Sequence, residues 1–301
     1  MKLPEINQEA MLDFLAELLN TPSPTGFTEK AIALCEETLQ QMPGISLKKT
    51  NKGALVATFP GQSSSPWRAL TAHVDTLGAM VKEIKSNGRL KLTKLGGFAW
   101  NTVEGEGVTV FIQNGDTLRG SLLLSKASSH VHGQDVSKSE RSDDTMEVRL
   151  DARTTSGDET RDLGVSVGDF VVFDPRVEMT NGFIRSRHLD DKACVACMIF
   201  AFKALVDAGL KPKQTSILHI SNYEEVGHGA SAGISPEVTE LLAVDMAAVG
   251  DGQTSDEFHA TLCVKDSGGP YHYGLNKHMC KLAEDHDIPH KVDIYPHYGS
   301  D

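Results

Sequence analysis

Apolar residues Met11, Leu12, Phe14, Leu15, Leu18 and Leu19 recur at the spacing of one helical face, and Asn7 stands ahead of them as an N-cap. The segment Thr21-Pro-Ser-Pro-Thr-Gly26 ends that helix, and a second is predicted over about 28–41. Two strands follow at 45–50 and 54–59, joined by Asn51-Lys-Gly53 as a hairpin turn. A Ser/Pro/Gly-rich stretch at 60–66 reads as a loop, and 68–74 as a buried strand. From about Leu77 to Arg187 the texture changes to short strands separated by Asn87-Gly88, Asn114-Gly115, Gly168-Asp169 and Asn181-Gly182. That stretch shows no long helical period, and its polar run at 125–145 reads as an exposed loop. Alternation of helix and strand then resumes, with helices over 191–206 and 273–286 and strands over 216–222, 241–246, 260–265 and 291–295. The expected fold class is α/β: residues 1–76 and 188–301 form one α/β domain, interrupted by a smaller β-rich domain at 77–187.

Composition narrows the functional classes. The 301 residues carry 29 Lys and Arg against 41 Asp and Glu, a net charge of −12. An acidic surface of that size argues against nucleic acid or an anionic membrane as partner. No apolar run reaches the ~18 residues of a membrane span, and Met1 to Asn20 lacks the basic leader and apolar stretch of a signal peptide. Five scattered cysteines do not suggest a disulfide framework, so a reducing cytoplasm is the expected location. Cys194 and Cys197 could form a redox or zinc motif, but with no second pair to complete a zinc site they read as two small buried residues on the helix over 191–206.

Four short segments at strand ends or a helix start concentrate metal-binding side chains. Ala72-His73-Val74-Asp75 ends a buried strand; His73 can offer a ring nitrogen to a metal while Asp75 holds the other, or be a structural histidine. In His188-Leu-Asp190-Asp191-Lys192 one aspartate could cap the helix, or bridge two cations. Glu224-Glu225, followed by Val226-Gly227-His228-Gly229, puts two mutually repelling acids directly after a strand, a conflict that a cation resolves. Asp245 reads as an acid inside an apolar strand, where a carboxylate needs a metal or a basic partner. His130 and His132 sit among polar residues and read as loop positions; His272, His278 and His286 read as the exposed side of a helix. Ser300 beside Asp301 has no nucleophile-elbow motif before it.

In this order, Ala72-His-Val-Asp75, Leu189-Asp-Asp-Lys192, Glu224-Glu-Val-Gly227 and Val244-Asp245 resemble the glutamyl-aminopeptidase and tetrahedral-aminopeptidase family of co-catalytic zinc metallopeptidases. The resemblance covers almost the whole chain. It implies a mixed-sheet zinc-exopeptidase-type domain with a barrel-like insertion used for dimerisation, and homo-oligomers up to hollow dodecamers. It implies two divalent ions, zinc or else cobalt or manganese: His73 and Asp245 on one, Glu225 on the other, Asp190 bridging both. Glu224 would be the general base and Asp75 the residue orienting His73, in hydrolysis of short peptides from a free N-terminus. Gly268-Gly-Pro-Tyr271 and Tyr295-Pro-His-Tyr-Gly-Ser-Asp301 further resemble a subgroup associated with N-acetylglutaminylglutamine amide osmoprotectant systems. That raises two alternatives: an amidase or deacylase of a small N-acylated dipeptide, and a binding or assembly protein without activity. The family also takes a last histidine ligand from near its C-terminus; His290 and His297 do not match that motif, so the expectation is either a truncated sequence or an incomplete second metal site.

Overall fold

A computed structural model describes residues 3–300. The first quarter of the chain gives helices α1 (Gln8–Asn20) and α2 (Glu29–Gln40) and strands β1 (Ser46–Lys49), β2 (Leu55–Phe59) and β3 (Ser63–His73). Six strands follow: β4 (Gly78–Ile84), β5 (Leu90–Leu95), β6 (Gly107–Phe111), β7 (Thr117–Leu124), β8 (Met146–Leu150) and β9 (Phe170–Phe173). Among them lie three short helices, α3 (Ser129–His132), α4 (Asp135–Lys138) and α5 (Gly157–Asp162). A small hairpin of β10 (Glu178–Thr180) and β11 (Phe183–Arg185) leads to the long helix α6 (Leu189–Asp207), β12 (Gln214–Ser221) and β13 (Val238–Ala243). The chain closes with β14 (Ala260–Asp266), β15 (Gly269–Pro270), α7 (Tyr273–Asp285) and β16 (His290–Ile294).

The main sheet runs β1-β2-β12-β3-β13. β12 and β13 flank β3 in parallel, whereas β1 and β2, and β2 and β12, pair antiparallel, so the sheet is mixed. Its core forms where Phe14, Leu18 and Leu19 of α1, Ile32 and Leu39 of α2, and Val195 and Ile199 of α6 pack with Leu55, Leu218 and Ile220 from the strands. α1 begins at Asn7, whose side chain accepts from the Ala10 N–H and satisfies one of the orphan donors of the first turn.

Strands β4 to β9 close into a barrel in the order β4-β5-β8-β7-β6-β9. Alternate residues such as Val81, Leu90, Leu92, Val108, Val110, Leu122, Leu124 and Val148 fill its interior as a second core. The turn-rich texture points to a β-rich insertion, and its closure into a barrel is what the family resemblance implies. The turn between β10 and β11 uses Asn181 and Gly182, both at positive φ (52° and 80°), the conformation a two-residue hairpin loop needs.

Three expectations require correction. Residues 63–66, read as loop, belong to β3, because Ser63 pairs with Gln214 of β12 and a partner strand can extend an exposed polar segment. The polar run at 125–145 contains the one-turn helices α3 and α4, with His130 exposed and His132 half-buried on the first of them. Asp245 lies two residues beyond the end of β13 and is half-buried, so it is not a carboxylate enclosed within a strand.

Candidate metal centre

The site forms where parallel strands end together. β3 ends at His73, beside Ser221 of β12 on one flank, while Ala243 of β13 pairs with Thr71 on the other. The residues just past these ends are therefore neighbours: Asp75 after β3, Glu224 and Glu225 after β12, and Asp245 after β13. The carboxyl ends of parallel strands are where open α/β sheets commonly place ligands. Asp190 joins them from the first turn of α6, where it and Asp191 depart from helical dihedrals. Lys192, fully buried, anchors that turn by donating to the Leu18 and Thr21 carbonyls at 2.8 and 2.7 Å, at the C-terminal end of α1. Burial pushes its ammonium down to about 7.

His73 is held on both sides. Its Nδ1 lies 2.9 Å from the Asp75 carbonyl oxygen, which can only accept, so the proton sits on Nδ1 and Nε2 is left as the ligating atom. Nε2 lies 3.2 Å from Asp190 Oδ1 and 3.5 Å from Glu224 Oε2. The His73 N–H donates to Asp191 Oδ2 at 3.0 Å. Burial lowers the basicity of this imidazole, but hydrogen bonds with Asp190 and Asp75 and the charge of Asp191 outweigh it and raise its pKa well above the usual value.

The Asp75 carboxylate orients more than the histidine. It accepts the Thr25 hydroxyl at 2.7 Å and the N–H groups of Glu224 and Glu225 at 3.2 and 3.3 Å, while standing 3.5 Å from His73 Nδ1. It thus ties the end of β3 to the single 3-10 turn Glu224–Val226, which is bracketed by Tyr223 and Gly227 at positive φ. The connection from α1 is zipped on alongside: Ser23 Oγ donates to the Val74 carbonyl, and the Thr76 N–H to that of Ser23.

One ligand atom each from His73, Asp190 and Asp245 all lie within 4.8 Å of one another. Asp190, Glu224, Glu225 and Asp245 line one cleft of about 610 Å³, and no Lys or Arg is among its lining residues. Burial, then the charge of Asp190, pushes the Glu225 carboxyl up to about 8. Ser300 Oγ donates to Asp245 Oδ2 at 2.5 Å and the Met246 N–H to Oδ1 at 2.6 Å. A set of one imidazole and several carboxylates with no cationic side chain to balance them fits a divalent cation.

The structure therefore brings His73, Asp75, Asp190, Glu224, Glu225 and Asp245 to one end of the main sheet. His130 and His132 stand apart on α3, and neither His290 nor His297 lines the cleft. Asp301 lies outside the described residues. Sequence reasoning missed Thr25, read only as part of a helix-breaking segment, and it attached no role to His228, which lines the same cleft.

Residues 53–301 match the model of the M42 glutamyl aminopeptidase family. The chain belongs to that family. YhfE of Bacillus subtilis, provisionally named an aminopeptidase, is 48% identical over 291 residues, spanning 96% of this chain and 84% of the relative. The lysyl aminopeptidase of Pyrococcus furiosus is 22% identical over 293 residues, spanning 94% and 81%. Among solved structures, the TET aminopeptidase of a marine-sediment Thaumarchaeota archaeon superposes with a TM-score of 0.88 at 21% identity, covering 97% of this chain and 83% of that one. The TET1 peptidase of Pyrococcus horikoshii, which can assemble into a tetrahedron or a large octahedral shell, gives 0.82 at 24% identity, covering 97% and 86%. This M42 member is a metallo-aminopeptidase-type hydrolase with the mixed α/β fold and inserted barrel of the TET enzymes. Among its described residues all five cysteines are free, with Cys194 half-buried and Cys197 exposed rather than both buried as the helical spacing suggested, and no helix is long and apolar enough to cross a membrane.

Proposed function

We propose that the chain hydrolyses short peptides from a free N-terminus, with His73, Asp190, Glu225 and Asp245 as ligands of two divalent ions and Glu224 as the general base. The observation that carries this reading is the convergence of His73, Asp190 and Asp245 within 4.8 Å, in the cleft that also holds Glu224 and Glu225. His73 and Asp245 would hold one ion, Glu225 the other, and Asp190 would contact both; zinc suits this nitrogen-and-carboxylate set, with cobalt or manganese as substitutes. When bound, such ions acidify water and polarise the scissile carbonyl. The remaining work falls to side chains. Glu224 takes a proton from the attacking water and returns it to the leaving amine nitrogen. Asp75 holds both His73 and the backbone of the Glu224–Glu225 turn, so base and ligand stay in fixed relation. A cleft lined by carboxylates, with no Lys or Arg among its lining residues, also favours a substrate bearing a free ammonium group.

We further place the chain in a reducing cytoplasm, as a homo-oligomer whose basic contact is a dimer through the inserted barrel. The test is hydrolysis of an equimolar mixture of Xaa-Ala-Ala tripeptides, read by mass spectrometry, together with metal content. Loss of cleavage on chelation and recovery with zinc, cobalt or manganese is expected. Cleavage of N-acetylated dipeptides in preference to free tripeptides would favour the amidase reading. Absence of both metal and hydrolysis would favour a binding protein.

A further inference from the structure

One wall of the cleft is not accounted for by this chemistry. His228 lines it together with Glu224, Glu225 and Asp245. Its ring is held by two neighbours. It stacks on Tyr223 with centroids 5.3 Å apart and planes 19° from parallel. Lys52 Nζ stands 3.2 Å from His228 Nδ1, donates to the carbonyls of His228 and Gly229, and lies 5.4 Å above the Tyr223 ring. The lysine is itself fixed, because its own carbonyl accepts from Asn222 Nδ2 at 2.8 Å, directly before Tyr223.

An ammonium has three donors and no acceptor, so its contact with Nδ1 makes that nitrogen the acceptor. A neutral imidazole accepting at Nδ1 carries its proton on Nε2. His228 is exposed, so this N–H is available in a cleft otherwise rich in carboxylate acceptors. A peptide entering such a cleft brings carbonyl oxygens that need donors. We propose that His228 is a substrate-binding residue, donating Nε2–H to a carbonyl oxygen of the bound peptide, with Lys52 the positioning residue that holds it in that tautomer. The inference rests on the peptidase reading above.

The Xaa-Ala-Ala mixture serves as probe, with KM and kcat determined on the best-cleaved member and its Kd measured by calorimetry in a Glu224→Gln background. His228→Phe keeps a ring for the Tyr223 stack but has no donor; it should raise KM and Kd about tenfold, the equivalent of one hydrogen bond, at unchanged metal content. His228→Gln, which offers an amide donor, should recover most of that loss. Lys52→Met should raise KM a few-fold, and the Lys52→Met/His228→Phe double variant should be no worse than His228→Phe alone, because Lys52 acts through the ring. Wild-type affinity in His228→Phe overturns the proposal while leaving the peptidase reading intact. Additive losses in the double variant overturn the role of Lys52. A wild-type chain that cleaves no tripeptide removes both readings together.

Discussion

Replacing Thr25 by Val tests how far the centre depends on a hydroxyl that never reaches the cleft. Thr25 Oγ1 donates to Asp75 Oδ2 at 2.7 Å between two buried side chains, the shortest of the contacts that carboxylate makes. Valine keeps the β-branched shape, so the Thr25 N–H bond to the Thr76 carbonyl (3.2 Å) should persist while the hydroxyl is lost. A hydrogen bond to a charged group contributes roughly 1.5–3 kcal/mol. Asp75 retains the Glu224 and Glu225 N–H groups and His73, which places the cost at the lower end, about 1.5 kcal/mol. For a chain of this size, that corresponds to a fall of roughly 2–3 °C in the melting temperature of the metal-free protein. The consequence for the site should be larger, because the same carboxylate positions His73 and the turn carrying Glu225. Loss of such an outer partner typically weakens metal binding about 10- to 100-fold. The assay pairs thermal melts of the metal-free protein with a zinc titration against a competing chelator. A lower melting temperature with zinc affinity within twofold of wild type would refute the link from Thr25 through Asp75 to the metal ligands. Unchanged values of both would refute the contact altogether.

Other perturbations separate the roles of the acids. Glu224→Gln should lower kcat by a factor of at least about 100 with metal content nearly intact; metal loss matching the activity loss would make Glu224 a ligand instead. Asp190→Asn should lose both metals, and normal content by elemental analysis would rule out the shared-ligand assignment. Away from the centre, burial raises the Asp293 pKa, but the Ser255 hydroxyl and the N–H groups of Ser255, Ile294 and Thr254 outweigh it and hold the group down to about 2. Because the folded pKa lies below the unfolded value, this stabilisation is present above about pH 4 and is lost as pH falls through about 2. Asp293→Asn should therefore lower the urea midpoint at pH 7 and flatten its fall between pH 4 and 2; equal acid slopes in both proteins would refute the assignment.

Legibility from the sequence followed the range of the forces involved. Asn7 as cap, the apolar face from Met11 to Leu19, and the hairpin turn at Asn181-Gly182 are decided within a few residues by backbone hydrogen bonding and side-chain spacing, and the structure carries each of them. The acids of the candidate site drew notice for a related reason. Adjacent carboxylates at a strand end are unfavourable unless something binds them, so Glu224-Glu225 stands out without any knowledge of its neighbours. What surrounds them was not legible.

Nothing local tells that β12 lies between β2 and β3, or that six strands close in the order β4-β5-β8-β7-β6-β9. Those pairings join residues far apart in the chain and are chosen by which arrangement buries the most apolar surface with every ladder hydrogen bond made. The same holds for the supporting contacts: Thr25 meets Asp75 across 50 positions and Lys52 meets His228 across 176. The position of Asp245 illustrates the boundary. Its apolar surroundings in sequence suggested enclosure in a strand, yet β13 ends at Ala243, and the aspartate projects half-buried into the cleft. The sequence by itself determined which chemical groups are present and which local elements carry them. Only the tertiary structure decided that these elements end side by side, because that choice is a balance of burial and pairing over the whole chain.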